Sequence, residues 1–482
     1  MQFDHYLDNA RVAPNTGARI EVVDPSTGEP FATIARGDAT DVQRAVSAAQ
    51  RAMGNTLDGA WAKLSPVERS NLLFACAAAV SQYADELAQL EARDTGKALN
   101  TARTDAAVLA RYLQYYAGCV DKLHGDTLPY PAGFTVLTVR EPIGVTGHII
   151  PWNYPMQIYG RSVGASLAAG NACVVKPAED ASLSILRLAE IAAEGGFPAG
   201  AINVVTGLGG EAGAALLSAN RGIRHISFTG STVTGALVGH AAAERHFPAV
   251  LELGGKSPQL LFDDADLDQA LPVIVNAIVQ NAGQTCSAGS RLLVQRTVYE
   301  RVLDRLARQF ALLRSGPPSM NLEMGPLVNA KQQARVRAMV ERAQADGIRV
   351  AARGTIAAGA SGAGYYQEAV LFRDVPPDSE LAQEEVFGPV LAAMPFDDED
   401  AAVALANGTQ YGLVAGVWTR DGARALRLAR KLQAGQVFIN NYGAGGVELP
   451  FGGVKASGHG REKGFEALLG FTALKTIAIK HD

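Results

Sequence analysis

The sequence predicts an α/β protein centred on a doubly wound parallel sheet, and three observations carry that prediction. Between residues 144 and 254 five short β-branched runs, GVTGHII, ACVVK, AINVVT, RHISFT and AVLEL, alternate with helix-length segments. Between the second and third runs, Ile185, Leu188, Ala189 and Ala192 fall at i, i+3, i+4 and i+7, and Gly195-Gly196 with Pro198 ends that helix. The length of 482 residues exceeds the roughly 250 to 300 at which a single core stops growing, so two or more domains are expected. Repeated strand–helix–strand units of this kind make parallel strands covered on both faces.

The other elements follow in chain order. The opening segment, to about residue 37, is rich in Gly, Pro and Asp and reads as short strands and turns. Long helices are expected over residues 41 to 120. One start is explicit: Ser65-Pro66-Val67-Glu68 combines an N-cap Ser, a Pro at the first helical position and a Glu three residues after the cap. The Gly/Ala run from Ala357 to Gly364 reads as an exposed loop or hairpin turn.

Composition excludes several classes of function. With 43 Lys+Arg against 48 Asp+Glu the formal charge is -5, and no block of like charges stands out, so nucleic acid is not an expected partner. No apolar run approaches the roughly 18 residues of a membrane span, and MQFDHYLDNA lacks the basic and apolar regions of a secretory signal. A cytoplasmic location is the default expectation. Cys76, Cys119, Cys173 and Cys286 are too few and too scattered for a disulfide framework or a CxxC metal site.

Ligands of doubly wound sheets bind beyond the carboxyl ends of the strands. Thr229-Gly230-Ser231 ends a strand and opens a helix, where free N–H groups and the helix dipole suit a phosphate, although a Gly-Ser cap without a ligand reads the same. Gly207-Leu208-Gly209 lacks the full GxGxxG spacing. Lys176 and Glu179, just past a strand, form either a solvated loop or a bracket for a ribose. A carboxylate there repels a 2′-phosphate and favours NAD over NADP.

Cys286 stands among small polar residues in Asn281-Ala282-Gly283-Gln284-Thr285-Cys286-Ser287, with no His nearby to form a hydrolase pair. A different base is needed. Glu252, at a strand end beside a Gly-Gly turn, is the candidate, and an ordinary ion pair with Lys256 is its bland alternative.

The motifs PWNYP (151–155), VVKPAE (174–179), FTGS (228–231), LELGGKSP (251–258), GQTCSAGSR (283–291), EEVFGPV (384–390) and PFGGVKASGHGRE (450–462) occur in one order along the chain. In this the sequence resembles the aldehyde dehydrogenase superfamily over essentially its whole length. The resemblance implies an NAD-binding domain (1–123 and 143–254), a catalytic domain (255–456) and a small β bridging element (124–142 and 472–482) through which subunits form a homodimer or homotetramer. One family contact at the last strand uses a Glu where Ala473 stands here, which leaves the choice open. It further implies that Cys286 attacks the aldehyde, that Asn153 with the backbone N–H of Cys286 stabilises the oxyanion, and that Glu252 activates the water that hydrolyses the thioester. The cofactor contacts it implies are Ile149, Pro151, Trp152, Lys176, Glu179, Gly207, Phe228, Gly230, Ser231, Leu253, Gly254, Glu385 and Phe387. Two competing readings are a CoA-acylating enzyme, against which Glu252 argues, and a non-catalytic structural relative, against which intact Cys286, Glu252 and Asn153 argue.

Arg161, eight residues after Asn153, is expected on the same helix face and so in the substrate tunnel. Succinate-semialdehyde dehydrogenases resemble this chain in having Arg there, but they carry a second Arg where Gln280 stands. The expected substrate is a larger aldehyde with a distal polar or anionic group, aromatic ones included, with Tyr154 and Tyr159 as packing partners. The bland alternative is a structural ion pair for Arg161.

Overall fold

The structure is a computed structural model that describes residues 1–218 and 222–481, so the last residue of the predicted 472–482 tail lies outside the described residues. Each of the five predicted runs forms a strand: β1 (Val145–Ile150), β2 (Ala172–Pro177), β3 (Ile202–Val204), β4 (Ile223–Thr229) and β5 (Ala249–Glu252). All pair in parallel, in the spatial order β3-β2-β1-β4-β5. The order reverses between β1 and β4, which opens the crevice where such sheets bind ligands. Short antiparallel strands extend both sides, His5–Leu7 and then Ala10–Val12 beyond β3, and Gly458–His459 beside β5. The third strand is shorter than its run suggested: Val205 still donates to Val175 of β2, but Thr206 already bonds to Gly37 and His5.

Four helices bear on the site: α1 (Pro155–Ala168), α2 (Leu183–Glu194), α3 (Thr232–Arg245) and α4 (Leu267–Val279). Ile185, Leu188, Ala189 and Ala192 of α2 are all buried, as their spacing requires. The expected helical region is four helices, Ala39–Met53, Pro66–Gln82, Ala84–Thr95 and Leu99–Ala117. The second begins with the Ser65–Glu68 capping box: Glu68 accepts from the Ser65 backbone N–H at 2.7 Å and Ser65 Oγ accepts from that of Glu68 at 3.3 Å.

A second sheet of seven strands has its own buried core, separate from that around β1–β5. Its strands Pro258–Leu261, Arg291–Gln295, Val370–Arg373, Val390–Phe396, Val414–Trp418 and Gln436–Ile439 pair in parallel, and Arg349–Arg353 is antiparallel at one edge. A third sheet stands apart. Thr127–Leu128 and Phe134–Pro142 form a hairpin, and Thr472–Lys480 adds to its outer side over nine paired residues.

Candidate active site

The loop that carries Cys286 leaves α4 through an unusual backbone. Asn281, Ala282 and Gly283 all have positive φ, at 50°, 53° and 73°. At Gly283 a Cβ would fall 2.2 Å from the backbone of Gly388, so only glycine lets the loop pass the segment that carries Glu385 and Phe387. The amide of Asn281 donates to the carbonyls of Asn153 (2.9 Å) and Gln284 (3.3 Å) and so ties the loop to the start of α1. Asn153 in turn donates from Nδ2 to the Gln284 carbonyl at 3.1 Å, and Tyr154 Oη meets Thr285 Oγ1 at 3.0 Å. Two loops distant in sequence are thereby locked together around the thiol.

Asn153, Tyr154, Arg161 and Cys286 line one cavity of about 280 Å³. Gln157, Gln280, Phe451 and Lys463 line it too, together with Tyr442, whose hydroxyl donates to the Ser287 carbonyl at 2.8 Å. Tyr159 does not: it lies 3 % exposed in the core around the first sheet, because two residues before Arg161 on a helix is the opposite face. Burial pushes the Cys286 thiol up to about 11, and Arg161 opposes that shift. Cys76, Cys119 and Cys173 are buried in the core of the first sheet, as structural thiols are.

Glu252 ends β5 and is 1 % exposed. Neither of its carboxylate oxygens has a hydrogen-bond partner among the described residues, and no ion pair with Lys256 forms, since the Lys256 ammonium is buried and equally unpartnered. Burial first, then the neighbouring charge of Glu462, raises the Glu252 carboxyl well above its ordinary value, while Arg161 works the other way. Glu252 does not line the cavity, but its charge reaches Cys286.

Sequence reasoning missed Glu462. It is fully buried, accepts from Ser227 Oγ at 2.8 Å and forms an ion pair with Arg161. Arg161 also lies over the Phe451 ring at 4.9 Å and donates weakly to Thr229 Oγ1 at 3.4 Å. Burial works against its charge, yet the Glu462 and Glu252 carboxylates leave it more firmly protonated than an ordinary arginine. Glu462 could have been suspected only from its place in the PFGGVKASGHGRE motif, because the contact spans about three hundred residues of chain.

The residues expected around the dinucleotide gather at the carboxyl ends of β1 to β5, where Glu385 and Phe387 join them. Ile149 lies near the end of β1, followed by Pro151 and by Trp152, which meets Phe387 edge-to-face at 5.4 Å. Lys176 ends β2, buried, and pairs with the half-exposed Glu179 at 3.1 Å. Gly207 has a φ of 149° and Phe228 lies in β4. Ser231 caps α3 by accepting from the Thr234 N–H at 3.2 Å. Beside it, a Cβ at Gly230 would fall 2.6 Å from the Phe228 ring. Leu253 and Gly254 follow β5, and Glu385 Oε1 accepts from the Gly255 N–H at 2.9 Å. Burial pushes the Glu385 carboxyl up to about 7.

This arrangement fits a dinucleotide: a helix start with further free N–H groups for phosphate beyond the one Ser231 caps, a carboxylate for ribose hydroxyls, and a second carboxylate beside the thiol loop. The exposed Val233 and Leu237 of α3 add a bare apolar face suited to a flat ring.

Comparison with known proteins agrees with this geometry. The family model described as the aldehyde dehydrogenase family matches residues 12–477. A crystal structure provisionally assigned as an aldehyde dehydrogenase of Burkholderia cenocepacia is 66% identical, with a TM-score of 0.98 over 99% of this chain and 100% of that one. The NAD+ complex of an aldehyde dehydrogenase from Bacillus cereus is 39% identical, with a TM-score of 0.97 over 100% of this chain and 97% of that one. Hydroxyisobutyraldehyde dehydrogenase of Mycolicibacterium austroafricanum is 41% identical over 98% of this chain and 93% of its own length.

Proposed function

The chain belongs to the aldehyde dehydrogenase family, and from that premise we propose that it oxidises an aldehyde to a carboxylic acid with NAD, through a thioester on Cys286 that water hydrolyses. The observation that carries this reading is the meeting of Cys286 and Asn153 in one cavity, with the buried and unpartnered Glu252 within electrostatic reach of the thiol.

The Cys286 thiol gives its proton to solvent and the sulfur adds to the aldehyde carbon, giving a thiohemiacetal alkoxide. Asn153 has a second amide hydrogen beyond the one held by Gln284. With the backbone N–H of Cys286 it stabilises the oxyanion, each such donor contributing about 3 to 4 kcal/mol in the transition state. Bound NAD would supply the acceptor for the hydride that leaves the thiohemiacetal carbon as the thioester forms. Lys176 and Glu179 would hold the adenosine ribose, the start of α3 with Gly230 and Ser231 would hold phosphate, and Glu385 would hold the second ribose, with Trp152 and Phe387 packed beside it. Ile149, Pro151, Gly207, Phe228, Leu253 and Gly254 shape the walls of that crevice. Glu252 then takes a proton from water, which attacks the thioester carbonyl and releases the acid and the thiol. A carboxyl raised by burial is a stronger base once ionised, which is what deprotonation of water near neutrality needs.

Residues 1–123 with 143–254 carry the cofactor side in this reading and 255–456 the thiol side. The element formed by 124–142 and the 472–482 tail joins subunits. Its support is the outer strand Thr472–Lys480, whose Leu474, Ile477 and Ile479 are 59, 37 and 47 % exposed, an apolar edge of the kind a second chain covers. Among the described residues no helix is long and apolar enough to cross a membrane.

NADH formation from a panel of aldehydes, with and without CoA, tests the proposal. We expect turnover without CoA. Absolute dependence on CoA would replace hydrolysis by acyl transfer, and no NADH with any aldehyde would leave a binding protein.

A further inference from the structure

Two cations line the cavity, Arg161 and Lys463, and no Asp or Glu is among its lining residues. They are not equivalent. The Arg161 charge is already met by Glu462, itself held by Ser227. Lys463 forms no ion pair among the described residues, and the contact recorded for its ammonium is the Phe451 ring at 5.3 Å. The backbone at Lys463 is left-handed, with φ 58°, immediately after the residue that pairs with Arg161. The lysine is half-buried and lines the cavity wall.

We propose that the substrate is an aldehyde with a carboxylate at its far end and that Lys463, not Arg161, binds that carboxylate. The proposal rests on the dehydrogenase reading above and narrows its substrate. A half-buried ammonium on the cavity wall that forms no ion pair of its own, with the Glu462 and Glu252 carboxylates acting on it only through space, favours an anion over a neutral polar group, because a charge-assisted hydrogen bond is roughly twice as strong as a neutral one. It disfavours an aldehyde with a cationic end, since both charged side chains that line the cavity are cations and no carboxylate lines it. The cavity of about 280 Å³ is near the lower end of small-molecule sites, roughly 300 to 1,000 Å³. That suits a compact acid with its two ends at the thiol and at Lys463. The amides of Gln157 and Gln280 supply further polar wall.

The test compares kcat/KM for 4-carboxybenzaldehyde with 4-methylbenzaldehyde, and for succinate semialdehyde with pentanal, in wild type, Lys463→Met and Lys463→Arg. The wild type is expected to prefer the acid of each pair. Lys463→Met should lower the acid-to-neutral ratio about 10- to 100-fold, mainly through KM, and Lys463→Arg should retain the preference. If Lys463→Met does not fold, Lys463→Gln and the wild-type ratio decide in the same way. A wild type with no preference for the acids overturns the inference. So does a ratio that survives Lys463→Met but collapses in the Arg161→Gln/Glu462→Gln pair. In those outcomes neutral aldehydes still yield NADH, whereas failure of the dehydrogenase reading would show as no NADH from any member of either pair.

Discussion

Arg161 and Glu462 form a buried ion pair that closes one side of the space around Glu252. Removing the arginine leaves the buried carboxyls of Glu462 and Glu252 without their paired cation, with only the through-space charges of Arg461 and Lys463 near Glu252. Breaking such a pair typically costs about 3 to 5 kcal/mol, so Arg161→Leu should melt well below wild type, and adding Glu462→Gln should recover much of the loss. Because the guanidinium is engaged with Glu462, whatever activity the single variant retains should fall by the same factor for acidic and neutral aldehydes. Thermal melts and a four-substrate comparison check both statements.

Cys286→Ala should abolish aldehyde oxidation while NAD still binds, as the proposed cofactor contacts lie elsewhere. The high thiol value adds a second readout. Alkylation by iodoacetamide should be slow at neutral pH, accelerate as pH rises towards about 11, and occur first at Cys286, which lines the cavity while the other cysteines are buried. Undiminished turnover in the alanine variant would remove the thiol from the reaction.

Glu252→Gln should leave a pre-steady-state burst of NADH followed by little steady turnover, because acylation survives and deacylation does not. Stability offers an independent check with a definite sign. A carboxyl whose value is raised on folding binds more protons folded than unfolded, so it lowers stability progressively as pH climbs from about 4.5 through the raised value. The glutamine variant should therefore melt above wild type at pH 8, with the gap shrinking as the pH falls towards 4.5. A loss of the burst would mean that Glu252 also activates the thiol.

Glu179 beside Lys176 should enforce a preference for NAD. The ratio of kcat/KM for NAD and NADP measures it, and Glu179→Gln should narrow the ratio mainly by improving NADP. Equal use of both cofactors by wild type would contradict the ribose assignment.

Light scattering on wild type should report an oligomer, and Ile477→Glu with Ile479→Glu should yield smaller species. A charge on an exposed edge strand blocks strand addition without disturbing the fold behind it. A monomeric wild type would remove the third sheet from that role.

The parallel sheet was legible from the chain alone because alternation of β-branched runs with helical periodicity is a local signal, and so was the Ser65 cap, whose partners are three residues apart. Cys286, Asn153 and Glu252 could be singled out because each sits in a short motif at a strand or helix end, where backbone geometry exposes a side chain. For Arg161, which the sequence left between substrate ligand and structural ion pair, only the tertiary structure brings in the pair with Glu462, joined by packing rather than by spacing, and it keeps Arg161 on the cavity wall as well. The same holds for the choice between Tyr154 and Tyr159 as cavity residues, which depends on how α1 is rotated against the first sheet. Lys463 carries no local signal as a ligand. Its significance arises when the fold brings it to the wall that holds Cys286 while the nearest buried carboxylate is engaged by Arg161, and charge balance in a closed space is a property of the assembled cavity, not of any stretch of chain.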